Sequence, residues 1–179
     1  MTQTDALRFR KILFASPSDT ADERTVAEKI VDEVNGIWGQ RHGIWLKSLM
    51  WETDIYSATG EDAQDVINHQ FGDDYDAFVG IMRERFGSPT SRHESGTKEE
   101  YLRAYARHQR DPESVEIGFY FSNASFSREH EKEEDLVQLL RVHAFQKEVE
   151  GKGTLYRKYS NIDEFEIGIR LHLSRLMQK

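Results

Sequence analysis

Cysteine is absent from this sequence, which excludes disulfides, thiolate nucleophiles and cysteine-bound metal centres. Basic residues are the minority. The 24 Lys and Arg stand against 32 Asp and Glu, a formal charge of -8, which disfavours binding through neutralised nucleic-acid phosphates. No apolar run approaches the length that crosses a bilayer, and the N-terminus lacks the apolar core of a signal peptide. The expectation is a cytoplasmic domain that engages neither nucleic acid nor membrane. The seven histidines show no paired ligand spacing, so no metal is expected. Also missing are a P-loop, a G-x-G-x-x-G turn and a G-x-S-x-G elbow, which leaves NTPase, Rossmann dehydrogenase and serine-hydrolase readings without support.

What is present suits a folded core. Hydrophobic residues make up 37% and charged residues 31%, with ten Phe, seven Tyr and three Trp. That composition argues against disorder, and 179 residues fit one domain, 1–179, in which 128–179 reads as a C-terminal helical elaboration. The run Ile12-Leu13-Phe14-Ala15, closed by the turn signal Ser16-Pro17-Ser18-Asp19, predicts a buried first strand. Val26, Ile30, Val34 and Ile37 follow at helical spacing behind a Thr20/Glu23 capping-box signature. Further strands are predicted at 44–51, 76–82, 116–122 and 153–156. Helices are predicted at 62–71, 98–109, 128–149 (inner stripe Leu136, Leu139, Leu140, His143) and 163–177 (Phe165, Ile169, Leu176 inward).

This alternation implies a mainly parallel five-stranded sheet with helices on both faces, a flavodoxin-like three-layer sandwich. Ligands in such folds bind beyond the carboxyl ends of the strands. Four loops are nominated: 16–19, 51–60, 83–97 and 122–127.

Within these loops several residue types suit a nucleotide. Ser16, Ser18 and Asp19 offer groups to ribose or phosphate, or alternatively Ser18, Asp19 or Thr20 caps the first helix. Arg24 pairs either with a phosphate or with Glu28. Trp51 suits stacking on a base and Glu52 a ribose hydroxyl, unless the Trp packs on a neighbouring loop. Arg83, Arg85 and Arg92 place three cations in one loop, to steer an anion or to pair with Glu84 and Glu94. Ser95-Gly96-Thr97 opens a helix whose free amides suit an anion. Two roles are open to Glu100: a capping-box partner of Thr97, or a carboxylate placed to stabilise or attack a ribosyl cation.

The strand at 76–82 followed by Ser95-Gly96-Thr97-x-x-Glu100-x-x-x-Ala104 resembles nucleoside 2-deoxyribosyltransferases, in which the corresponding Glu is the nucleophile; Ser95 stands where that family carries Asp. Over residues 11–122 the series Ile12 to Asp19, Glu23-Arg24, Trp51-Glu52, Asp76 and Arg85-Phe86-Gly87-Ser88-Pro89-Thr90 is similar to a Toll/interleukin-1 receptor (TIR)-like family. Members of that family stand at the N-terminus of defence and signalling NTPases. The resemblance implies sheet order 2-1-3-4-5 and a nucleotide-sized pocket. It further implies either cleavage of the N-glycosidic bond of NAD or a related nucleotide in anti-phage defence, with Glu100 catalytic and activity gated by self-association, or a non-catalytic adaptor or nucleotide sensor. NAD enters as substrate or ligand, so no cofactor is expected. The implied partners are the nucleotide, further copies of the chain, and an NTPase or sensor protein or fused domain.

Overall fold

The computed structural model describes residues 8–50, 72–123 and 132–178. Five strands, β1 (Arg8–Ala15), β2 (Ile44–Leu49), β3 (Ala77–Met82), β4 (Glu116–Ser122) and β5 (Tyr156–Tyr159), form one sheet of order β2-β1-β3-β4-β5. Every neighbouring pair is parallel, with Leu13 opposite both Leu49 and Phe78, and Phe119 opposite Gly80 and Tyr156. The main helices are α1 (Ala21–Val34), α2 (Gly96–Arg110), α3 (Glu133–Gly151) and α4 (Ile162–Leu176). The expected three-layer α/β architecture and strand order are those found.

Strands apolar on both faces require two cores, and the sheet separates them. On one face α1 (Ala27, Ile30, Val34) and α4 (Phe165, Ile169, Leu173) pack over Ile12, Phe14, Val79 and Ile81. On the other, α2 (Tyr101, Ala104) and α3 (Val142, Phe145, Val149) pack over Leu13, Phe78, Phe119 and Phe121. The second core is aromatic: the Phe119 and Phe121 rings stack at 4.6 Å, and Tyr101 and Phe145 meet edge-on at 5.5 Å. Gly80 makes room for this cluster, since a Cβ there would sit 2.2 Å from the Phe119 ring.

Four sequence expectations are corrected. Ile37 is 59% exposed, because α1 runs into a π-helical turn, Asn35–Gly39, that breaks the 3.6-residue register. That turn inserts Asn35 beside the edge strand β2, where its amide donates to Leu46 O (2.9 Å) and accepts from Leu46 N (2.8 Å). In α3 the buried stripe is Val142, Phe145 and Val149, while Leu136, Leu140 and His143 are exposed. The aromatic packing of Phe145 decides which of two apolar stripes turns inward. The fifth strand begins at Tyr156 rather than Gly153, whose φ of 72° closes α3 in a left-handed turn, with Thr154 N bonded to Val149 O. Finally, Thr20 is not a side-chain cap: its hydroxyl donates to Pro17 O (2.7 Å), and Glu23 lies buried beneath β5. The expected helix at 62–71 lies outside the described residues.

Candidate functional site

At the carboxyl ends of β1 and β3, two loops are tied together by one carboxylate. Asp19, in a 3-10 turn after β1, accepts the amides of Glu84 and Arg85 through Oδ2, each at 3.0 Å. Its Oδ1 is buried without a hydrogen-bond partner. The loop after β3 is further held by α3, where Gln138 Oε1 accepts the Phe86 amide at 2.8 Å. Between these elements lies a cleft of about 230 Å³ lined by Asp19, Arg83, Glu84, Arg85, Asp135 and Gln138. Three residues expected at a ligand site, Asp19, Arg83 and Arg85, thus meet in one concavity. Asp135 and Gln138 join them from a helix distant in sequence, and no local pattern marks them.

Beneath the cleft floor is a buried charge that sequence reading assigned to capping. Glu23 is 2% exposed; its Oε1 accepts from Tyr159 Oη at 2.9 Å and stands 3.7 Å from Arg83 Nη1. Burial, reinforced by the Glu23 charge, holds the Tyr159 phenol well above the usual phenol range. Arg83 therefore serves two groups, the cleft and a buried carboxylate that needs a counter-charge. Glu23 Oε2 has no hydrogen-bond partner.

The remaining expected contacts are distributed differently. Ser16 is buried and its Oγ accepts from Arg24 Nη1 at 3.0 Å, which also donates to Pro17 O and Thr20 Oγ1. These bonds order the turn from within. Ser18 is exposed. Arg92 is bound to Glu99, with Nη2 to Oε1 at 2.6 Å and Nε to Oε1 at 2.9 Å, and Thr90 donates to Glu99 Oε2 at 2.8 Å. Glu94 instead pairs with Lys98 at 3.3 Å. Trp51 and Glu52 lie outside the described residues, as do the 51–60 loop and positions 124–127.

The start of α2 clarifies the two roles open to Glu100. The N-cap is Ser95, fully buried, whose Oγ donates to Phe86 O (2.5 Å) and accepts from Lys98 N (3.5 Å). With Ser95 as cap, the third helical residue is Lys98 and Glu100 is the fifth, outside the capping-box position. Of the helix-start amides, those of Gly96 and Lys98 are taken by Ser88 O (3.3 Å) and Ser95 Oγ (3.5 Å), which leaves less of an anion nest than the sequence suggested. Gly87, at φ 99°, makes the turn that brings the loop against Ser95. Thr97 and Glu100 are both 5% exposed, and Glu100 does not line the 230 Å³ cleft.

A larger cavity, about 830 Å³, opens at the opposite ends of the strands, with Arg10, Asp76, His108, Glu116 and Lys152 in its walls. Among the described residues no group of three or more His, Asp or Glu is placed to hold a metal ion, and no helix is long and apolar enough to cross a membrane.

No curated protein matches the chain. Its fold is similar to part of the translation elongation factor SelB from Methanococcus maripaludis, solved in the apo form, with a TM-score of 0.51 and 11% identity. The match takes in 98% of this chain but 36% of that one, so the chain spans about a third of its neighbour's length. At that identity the likeness is one of fold. Residues 15–174 match the family described as a domain of unknown function, DUF4062, and the chain belongs to that family.

Proposed function

We propose that the chain is a TIR-like effector domain that cleaves the N-glycosidic bond of NAD or a related nucleotide, in a defence system gated by assembly. The observation that carries this reading is the position of Glu100. A buried carboxylate stands in the second turn of α2, past the capping-box position, on the helix that follows the loop carrying Arg83 and Arg85. In the reaction the bond between ribose C1′ and the nicotinamide nitrogen breaks, and nicotinamide leaves with the bonding electrons. Glu100 stabilises or captures the ribosyl cation, and water then adds at C1′ with loss of a proton. Arg83 and Arg85 hold phosphate oxygens, while Ser18 and Asp19 face ribose.

A second reading, a nucleotide-binding adaptor without turnover, is favoured by two observations. The hydroxyl of Ser95, where the deoxyribosyltransferases carry Asp, is buried and engaged within the helix cap. A cleft of about 230 Å³ is also below the ~300–1,000 Å³ of ordinary ligand pockets, and suits one sugar-phosphate better than a whole dinucleotide.

Glu100→Gln separates the readings, because it removes the charge and leaves the Ser95 cap intact. Wild type and variant are incubated with NAD at high protein concentration, and nicotinamide release is followed with the melting temperature. Release by wild type that falls at least about 100-fold in the variant, at unchanged melting temperature, supports catalysis. Equal release by both removes Glu100 from the mechanism. Absence of release by wild type, together with saturable NAD binding, establishes the adaptor.

A further inference from the structure

Among the described residues, two surfaces of opposite charge stand unpartnered at opposite ends of the strands. At the carboxyl end, the first two turns of α3 expose Leu136, Val137 and Leu140, the last at 67%, beside the acidic start Glu133-Glu134-Asp135. At the amino end a groove of about 220 Å³ runs between β4, β5 and α4, with Leu155, Arg157, Leu171 and Arg175 in its walls. Leu155 is 84% exposed, and Ile167, one helical turn before Leu171, is 64% exposed. The Arg157 side chain crosses Gly168 of α4, where a Cβ would stand 3.1 Å from its Nη1. Among the described residues neither Arg157 nor Arg175 forms an ion pair, and neither does Glu133 or Glu134. The groove's own acid, Glu116, faces His172 at 3.8 Å, and Lys132 and Arg141 flank the acidic turn of α3.

Exposed leucines rimmed by charge mark association surfaces. These two are matched: acidic and apolar on one, cationic and apolar on the other. They cannot meet within one chain, because α3 packs on one face of the sheet and α4 on the other. We infer that the occupant of the β5–α4 groove is the N-terminal part of α3 from a second copy of this chain, in a head-to-tail contact. Such a contact is heterologous: each copy keeps one surface of each kind, so the assembly extends rather than closing as a dimer unless the rotation makes a ring. It also reaches the candidate cleft. Asp135 and Gln138 of α3 line that cleft, within two residues of the docked leucines, so loading α3 bears directly on the loop after β3. This inference stands on the surfaces alone and is independent of whether NAD is cleaved.

Sedimentation velocity on the full 179-residue chain tests it, with three proteins taken from micromolar to millimolar concentration. Wild type should sediment faster as concentration rises, and about tenfold more protein should be needed at high salt. Arg157→Glu with Arg175→Glu destroys the groove, and Glu133→Arg with Glu134→Arg destroys the helix surface. Each variant alone should remain monomeric, with an unchanged far-UV spectrum because all four positions are exposed. Mixed in equal amounts, the two variants should yield a heterodimer that grows no further, since one intact groove meets one intact helix. Self-association of either variant alone, or a mixture that stays monomeric, overturns the inference. A wild type that is monomeric throughout also overturns it, and would assign the groove to an acidic segment of a different protein.

Discussion

Asn35 shows how one side chain can finish a sheet. Strand β2 is an edge, and Leu46 presents its backbone N–H and C=O away from β1; both are met by the Asn35 amide, itself 3% exposed. Replacing it with Ala leaves a buried donor and a buried acceptor unsatisfied. The expected cost is about 2–4 kcal/mol in urea unfolding, with unchanged m-value. Asn35→Asp keeps the acceptor and loses the donor, so it should fall between Asn and Ala, as a graded series measured under the same conditions.

At the scale of elements, α2 is where local signals and tertiary packing compete. Thr97 and Glu100 have capping-box spacing, yet Ser95 caps the helix two residues earlier because its Oγ also reaches Phe86 O across the loop. Ser95→Ala is therefore expected to destabilise the chain by about 1–3 kcal/mol, the sum of a lost cap and a buried carbonyl left unpaired. Thermal unfolding of Ser95→Ala beside Ser95→Asp checks this: Asp restores an acceptor for Lys98 N but cannot donate to Phe86 O, so it recovers only the cap. Much about the elements was legible. The β4 bounds and the final helix with Phe165 and Ile169 inward follow from short-range pattern, which strands buried on both faces and single-stripe helices display openly. Less legible was α3, whose sequence carries two apolar stripes. Only contact with Phe86, Tyr101 and Phe119 selects the one containing Phe145.

The whole molecule carries its buried phenols in both cores. Burial pushes Tyr101 up to about 12, against the lowering hydrogen bond with Thr154, and raises Tyr120 and Tyr159 further. Each folded-state value is above the unfolded one, near 10. The contribution is therefore fully present below pH ~10 and is lost as pH rises towards the folded values, by up to about 1.4 kcal/mol per pH unit for each tyrosine. Urea midpoints taken between pH 9 and 12 should fall steeply above pH ~10. Tyr159→Phe should make that fall shallower, while losing the Tyr159–Glu23 bond at neutral pH. A flat midpoint over this range would show that the phenols titrate alike in both states.

From sequence alone came the parallel sheet and the edge at which ligands are expected, because alternating periods and the handedness of crossovers leave few topologies open, while the strand order was what the family resemblance implied. Asp19, Arg83 and Arg85 were also nominated there. What they do was decided by the tertiary structure: Asp19 staples two loops, Arg83 answers a buried Glu23, and Arg92 is bound to Glu99. The physical reason is the range of the interactions. Periodicity is set by neighbours three or four residues apart, whereas the partner of a buried charge is chosen by whatever the packed chain brings within a few ångströms, here residues 60 to 136 positions away for Arg83 and Tyr159 against Glu23.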